Sequence, residues 1–333
     1  MKKKVRIEEV AKAAGVSPTT VSRVINKLPT VKESNRIRVE EAIRNLKFKP
    51  DVTAQRLAKG GSDAIGLVIP RYEGIFFSFY AIQIIRGVGM ATDSLKLDLL
   101  LHLSDGKNPI NIGSVGGVLF ADIISNREEL DNALNNAIHC VVMNYHLDDN
   151  PDVSYVAINN KMGATQATDY LISLGHQKIA HITGDLMTQA ANERLKGYQA
   201  ALKNHNIDIK SQYLVEANYS RPSAREAMNK LLKLSNPPTA VFVASDDMAQ
   251  EAIAVISENK LNVPQDISVV GFDDNPICVF GSVGLTTVRQ PLMEMALEAT
   301  TLLHKMIASK ESVSPKRTIL PTELVIRDSC RQI

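Results

Sequence analysis

Apolar residues recur every three to four positions at the start of the chain and switch, near residue 64, to short continuous runs. Ile7, Val10, Ala11 and Ala14 fall on one face of a first helix. Gly15 ends it, because glycine takes the positive φ that a helix C-terminus often needs. Ser17 can cap the next helix, and Pro18 sits where a missing N–H costs nothing. Val21, Val24 and Ile25 then point inward and leave Thr19, Thr20, Ser22, Arg23 and Asn26 outside. Thr30 and Glu33 have the spacing of a capping box. Val39, Ala42, Ile43 and Leu46 follow at helical intervals, closing a three-helix domain near Phe48. Two helices around a tight turn, the second polar and hydroxyl-rich, can place side chains in the major groove of DNA. The same pattern also fits a small surface hairpin.

Lys49 to Gly61 read KPDVTAQRLAKGG, where Pro50 can start a helix and Gly60–Gly61 end it. A helix of under a dozen residues is marginal in isolation. Leu57 is apolar and flanked by Arg56 and Lys59, which suits a minor-groove wedge with cations on the phosphates. Strands are expected at 64–70, 97–102, 116–122, 140–144, 153–158, 178–183, 239–244 and 267–272. Near-continuous apolar strands alternating with amphipathic helices imply parallel sheets covered on both faces. Their number exceeds one compact sheet, so two α/β lobes are expected. Such lobes bind ligands at the carboxyl ends of their strands.

Charge sharpens this picture. Residues 1–60 hold fifteen Lys and Arg against six Asp and Glu, a surplus of nine positive charges. The remaining residues hold 23 against 30, a deficit of seven, and the whole chain carries +2. A positive headpiece is drawn to phosphates and releases counterions, while an acidic body is kept off the duplex. The 333 residues allow two or three domains, and 44% hydrophobic content is ordinary for a globular protein. No apolar run approaches the roughly 20 residues of a membrane helix. Cys140, Cys278 and Cys330 lack metal-like spacing and read as reduced thiols in a cytoplasmic protein.

In order along the chain, GVSPTTVSRVIN, PDVTAQRLA, LISLGHQKIAHITG, ERLKGYQAAL, ASDDMA, ISVVGFDDNP and LTTVRQP resemble the LacI/GalR family of bacterial transcription regulators. Each motif is weak alone, and their succession is specific. The resemblance implies an N-terminal all-α helix–turn–helix DNA-binding domain (1–49) and a hinge helix (50–61). These join a two-lobed α/β periplasmic-binding-protein-like core with parallel sheets (62–333). The first lobe is expected at about 62–159 plus 291–320, and the second at about 160–290 plus 321–333. The resemblance also implies a homodimer reading an inverted-repeat operator, under control of a small effector, a sugar. Thr19 and Arg23 match positions that reach base edges, with Ser17, Pro18, Thr20, Ser22 and Asn26 beside them. Pro18 offers only apolar contact. Thr53, Arg56, Leu57 and Lys59 match the hinge contacts. Arg194 matches the arginine that grips effector hydroxyls or anionic groups, and Asp273 the acceptor of ring hydroxyls. Phe76, Asp122, Tyr219, Ser245, Asp246 and Gln290 match other pocket positions. Arg supplies a forked donor, carboxylates accept from hydroxyls, and aromatics cover the apolar face of a sugar.

The chain departs from that pattern in the first lobe. Between His102 and Gly116 it has LSDGKNPINIGSV, a poor helix where a parallel crossover normally carries one. A partly bare sheet face is expected there. Gly116, Gly74–Ile75 and Asn159 replace more polar residues of relatives. A purine-type corepressor or a protein co-effector on the same scaffold is therefore an alternative. One of Phe76 and Phe77 is expected in the core, and Asp246 can cap the helix that follows it. His176 is expected to end a helix. An enzyme would need a nucleophile with its base, metal spacing or a phosphate loop. HITGD at 181–185 brings no partners, and Gly87 and Gly89 lack the third glycine of a dinucleotide fingerprint. A secreted sugar-binding protein would need a signal peptide, and no apolar core follows the basic N-terminus. No cofactor, metal, catalytic residue or membrane partner is expected.

Overall fold

Periodic apolar positions at the N-terminus become three short helices, α1 (Ile7–Ala14), α2 (Pro18–Ile25) and α3 (Glu33–Asn45). The computed structural model describes residues 7–25, 31–46, 63–71, 75–124, 126–147, 149–309 and 314–333. Val10, Ala11, Ala14, Val21, Val24, Val39 and Ala42 form the small headpiece core. Gly15 has φ 64° and ends α1, and the next N–H, Val16, donates back to the Ala11 carbonyl. α3 begins at Glu33 with Lys32 at the N-cap and no side-chain cap from it, and the expected capping box with Thr30 falls outside the described residues. Thr30 itself, Asn26 and the whole of 47–62, with Thr53, Arg56, Leu57 and Lys59, lie outside the described residues.

The chain divides between Asp63 and Ala64. Beyond that point two six-stranded sheets form. The first has the order β11-β5-β4-β3-β1-β2, with β1 Ala64–Pro70, β2 Asp98–Ser104, β3 Gly117–Ala121, β4 His139–Met143, β5 Ser154–Ile158 and β11 Arg317–Leu320. The second has the order β12-β10-β9-β8-β6-β7, with β6 Ile179–Thr183, β7 Leu214–Glu216, β8 Ala240–Val243, β9 Ser268–Asp273, β10 Thr286–Arg289 and β12 Glu323–Val325. Every pairing is parallel except β10 with β12. All eight expected strands are present within two residues at either end.

Each sheet is covered on both faces, as its apolar strands require. In the first lobe, α4 (Phe79–Leu95) and α10 (Leu292–Ala308) bury Ile65, Leu67, Leu119 and Val141 on one face. Their approach is close at Gly87, where a Cβ would meet that of Ala296 at 2.7 Å. α5 (Arg127–Asn135) packs on the other face, over Val118, Phe120 and Val142. In the second lobe α6 (Asn160–Ser173) and α7 (Gln189–Asn204) cover one face, while α8 (Arg221–Leu232) and α9 (Asp246–Glu258) cover the other. The chain crosses back to the first lobe at α10 and β11 and returns at β12. Among the described residues, no helix is long and apolar enough to cross a membrane.

The connector between β2 and β3 holds one short 3-10 turn, Ile112–Ser114, and no α-helix. Ile110 and Val115 cover the sheet at Gly66 in its place. The Glu129 carboxylate of α5 pins the connector, accepting from the Ile110 N–H and the Ser104 hydroxyl, both at 2.6 Å. Coverage is incomplete, because Leu100 stays 36% exposed on this edge strand.

Candidate functional site

On the headpiece, α2 buries Val21 and Val24 and turns its other side outward. The Ser17 hydroxyl caps it, accepting from the Thr20 N–H at 3.2 Å. Thr19 and Arg23 are exposed one turn apart, with Pro18 exposed and Thr20 and Ser22 half-buried beside them. A cation and hydroxyls on one helical face can donate to base edges and phosphates.

In the core, parallel strands deliver their carboxyl ends to one side of each lobe. β3 leads to Asp122, β4 to Asn144 and β5 to Asn159; β6 leads to Gly184, β8 to Ala244 and Ser245, and β9 ends at Asp273. Five residues here take positive φ without being glycine: Asp122 (76°), Asn144 (57°), Tyr219 (62°), Asp273 (133°) and Asp274 (58°). Such backbone persists only where its surroundings hold it, and it concentrates at ligand sites.

Arg194 lies in the second turn of α7 and is 4% exposed. Its Nε donates to Asn160 Oδ1 at 2.9 Å and its Nη1 to the Ala244 carbonyl at 2.5 Å, and its guanidinium lies 3.8 Å over the Phe272 ring. It pairs with no described carboxylate. Asp273, at the edge of the cleft, accepts from Gln290 Nε2 at 2.5 Å, and the Gln290 Oε1 is buried without a partner. Burial pushes the Asp273 carboxyl well above the usual range, Asp246 adds to the rise, and Arg194 and Gln290 oppose it. Burial likewise raises Asp122 to about 7, opposed only by the Ile123 N–H that donates to it.

Tyr219 feels charges from both lobes. Burial raises its phenol, Arg194 and Thr188 lower it, and the charges of Asp273 and Asp122 raise it again. Arg194 and Asp273 belong to the second lobe and Asp122 to the first, so Tyr219 sits where the two meet. Its ring fills the space over Gly184, where any Cβ would run into it.

Other expected site residues fare differently. Asp246 is withdrawn from the cleft: it has no exposure, and its two oxygens accept from the Thr287 hydroxyl (2.5 Å) and the Asn275 N–H (2.8 Å). It does not cap α9 with its side chain either; Ser245 does, accepting from the Met248 N–H. Neither Phe76 nor Phe77 enters the core. Both are exposed on the turn after β1, because Ile75 takes the buried position. Asn159 caps α6, so its amide replaces a carboxylate without loss of that role. The His176 N–H closes the end of α6, as expected, and its ring braces Thr239 and Ser268. Asn144 and Asn160 escaped the sequence reading. A lone Asn after an apolar strand was the only signal for Asn144, and Asn160 reads as an ordinary first-turn residue.

A ligand cleft between two crossed-over α/β lobes, on a chain that begins with a helix–turn–helix, defines a ligand-responsive DNA-binding regulator. The chain belongs to the lacI family of bacterial regulatory proteins. The family model of that description matches residues 6–51, and that of the periplasmic binding protein-like domain matches residues 168–330. The chain is 35% identical over 336 residues to the probable HTH-type transcriptional repressor ExuR of Bacillus subtilis (strain 168), covering 99% of each. It resembles the solved complex of the transcriptional regulator CelR with cellobiose (31% identity, 98% of this chain and 99% of that one, TM-score 0.75). It also resembles the lac repressor dimer bound to operator and the anti-inducer ONPF (26% identity, 99% and 100% covered, TM-score 0.84). It is therefore a transcriptional regulator with an effector-binding core, not an enzyme.

Proposed function

We propose that this chain is a homodimeric, cytoplasmic repressor of an inverted-repeat operator, with a sugar as the effector held in the cleft. Arg194, Asp273, Gln290, Tyr219 and Asp122 make the polar contacts, with Ser245 and Phe76 at the margin. The observation that carries this reading is the Arg194 guanidinium, nearly sealed from solvent and unpaired with any described carboxylate; the Gln290 oxygen is likewise buried without a partner. Buried charges and acceptors left open in this way cost stability unless a ligand completes them. The complex of CelR with cellobiose supports a sugar as the effector.

Dimerisation is supported by exposed apolar residues on α4 (Ile82, Met90), on β2 (Leu100, Leu101) and after β9 (Val279, Phe280). On DNA, Thr19 and Arg23 read bases, and Arg56, Leu57 and Lys59 act at the centre of the site. Effector binding shifts lobe closure, and closure alters the spacing of the paired headpieces. That coupling requires operator DNA to change effector affinity by the same factor that effector changes operator affinity.

Selection of bound duplexes from a random pool, followed by titration at several salt concentrations, tests the DNA reading. An inverted repeat supports the dimer, and no duplex binding at low salt overturns the assignment. Arg23→Ala should relax base preference, whereas Lys59→Ala should weaken all sequences about evenly. Calorimetry against mono- and disaccharides, then purine bases, with and without operator, tests the effector; equal affinities in both states would defeat the allosteric reading.

A further inference from the structure

β9 ends on a carboxylate and a second follows it, and the two have separate partners. Asp273 stands opposite Arg289 in the parallel register of β9 and β10. Its side chain nevertheless reaches past Arg289 to Gln290, whose Nε2 donates to it at 2.5 Å, and its carbonyl accepts the Gln290 N–H at 3.5 Å. Asp274 takes the residue that Asp273 passes over: Arg289 Nε donates to its Oδ2 at 2.7 Å. Its other oxygen accepts from Arg327 Nη2 at 2.6 Å, two residues beyond β12. Two side-chain bonds thus cross between the same two pairs of adjacent residues.

This arrangement is held against a backbone cost. Asp273 has φ 133° and Asp274 φ 58°, and consecutive non-glycine residues in this region persist only where their surroundings hold them. Asp274 is the better anchored of the two. Its side chain is 11% exposed, and both oxygens are taken by guanidiniums. Burial alone would raise its carboxyl, but Arg327 and Arg289 outweigh burial and hold it below its usual range. The guanidiniums are themselves fixed, Arg327 by the Leu285 carbonyl and Arg289 by Glu323, both at 2.8 Å. Asp273, by contrast, has the neutral Gln290 amide and, among the described residues, no ion pair.

We propose that Asp274 is a positioning residue of the effector site: clamped by Arg289 and Arg327, it holds the ends of β9 and β10 in register, so that Asp273 and Gln290 are presented together to the effector. The proposal rests on the effector reading above and concerns how that site is built, not which molecule fills it.

The test compares Asp274→Gly and Asp274→Asn with wild type in the full-length protein, with Arg225→Gln as the control. Glycine accepts the left-handed backbone without strain and removes the clamp, so backbone and side-chain contributions separate. Asparagine also tolerates that backbone but offers one acceptor oxygen and turns its NH2 toward a guanidinium, so it should fall in between. Arg225 pairs with Glu251 and Glu258, each at 2.6 Å, between α8 and α9, so its variant loses an ion pair outside this cluster. In Asp274→Gly the Gln290 amide should exchange with solvent about tenfold faster, while the Val241 and Val269 amides keep their protection. Calorimetry with cellobiose and glucose should show about tenfold weaker binding of whichever sugar wild type holds. Arg225→Gln should change neither. Fast exchange at Gln290 with the sugar affinity of wild type, or a lowered thermal transition with neither change, would make Asp274 a brace of the fold alone and overturn the proposal. If no saccharide bound wild type, the sugar reading would fall by itself, and the Gln290 exchange rate would decide the proposal: fast exchange in Asp274→Gly supports it, and unchanged exchange overturns it.

Discussion

The side-chain amide of Gln189 closes on the main chain of His146 from both sides. The His146 N–H donates to Oε1 at 2.7 Å, and Nε2 donates to the His146 carbonyl at 3.1 Å. Gln189 is the first residue of α7, and His146 lies beyond the end of β4, so this pair joins the two lobes. Arg194 stands on the same helix, five residues on. A motion that parts the lobes therefore breaks the Gln189 pair and moves the base of the helix that carries the guanidinium.

Gln189→Ala removes both bonds at once. Two neutral hydrogen bonds of about 0.5–1.5 kcal/mol each should favour opening by roughly tenfold or more. Hydrogen exchange at the His146 amide is the direct readout, and it should accelerate by that factor while the amides of β4 keep their protection. Gln189→Glu keeps the acceptor for the N–H but turns a carboxylate oxygen toward the carbonyl, so it should behave as a partial break. Unchanged exchange in Gln189→Ala would show that the lobes are held by something else.

How much of this was legible in the sequence depended on the length of each run and the redundancy of each signal. β1 was read to the residue, because seven buried positions run without a break from Ala64 to Pro70. β7, β10, β11 and β12 gave no strand signal: they run to three or four residues and include Thr, Arg and Glu at edge or crossover positions. In the cleft, Asp273 and Asp246 were indistinguishable as carboxylates following strands. What separates them is a distant hydroxyl, Thr287, that occupies Asp246 and leaves Asp273 to Gln290. Ile75 against Phe76 and Phe77 was equally undecidable, since any of three adjacent apolar residues could turn inward.

Asp122 should make the protein less stable at alkaline pH than its amide variant. Its folded value is raised to about 7 from an ordinary 3.8, chiefly by burial. A raised value means that folding favours the protonated form: the contribution is fully present below 3.8 and is lost as pH climbs through about 7. Asp122→Asn does not titrate. The variant should therefore gain on wild type between pH 4 and pH 8, by at most about 4 kcal/mol, and by less if water reaches the carboxylate. Urea unfolding of both proteins at several pH values measures this. A stability difference that stays flat across that range would remove Asp122 from the list of strained cleft residues.

The brace around Asp246 predicts a change in stability without a matching change in ligand preference. Thr287→Val deletes the donor to Oδ1 and leaves a buried carboxylate oxygen unpaired, at a cost of about 1–3 kcal/mol. Gly271→Ala should cost at least about 2 kcal/mol, because its Cβ would overlap the same carboxylate. Both variants should melt earlier and keep the saccharide affinity of wild type. A loss of that affinity beyond the loss of stability would mean that Asp246 reaches the ligand after all.

The shortened connector of the first lobe hangs on one carboxylate. Glu129 is 6% exposed and holds the Ser104 hydroxyl, the Ile110 N–H and, at 3.5 Å, the His102 ring. Where a helix would satisfy its own backbone, this segment borrows an acceptor from α5. Glu129→Ala strands a buried N–H and releases the segment that keeps Ile110 and Val115 over Gly66. The expected loss is about 2–4 kcal/mol, with faster exchange at the Ile110 amide and new binding of a hydrophobic dye to the uncovered face. Glu129→Gln retains an acceptor for Ile110 and can donate to Ser104, so it should recover most of that loss. If the alanine variant matched wild type in stability and dye binding, Ile110 and Val115 would be holding the connector by packing alone, and the carboxylate would be incidental to the lobe.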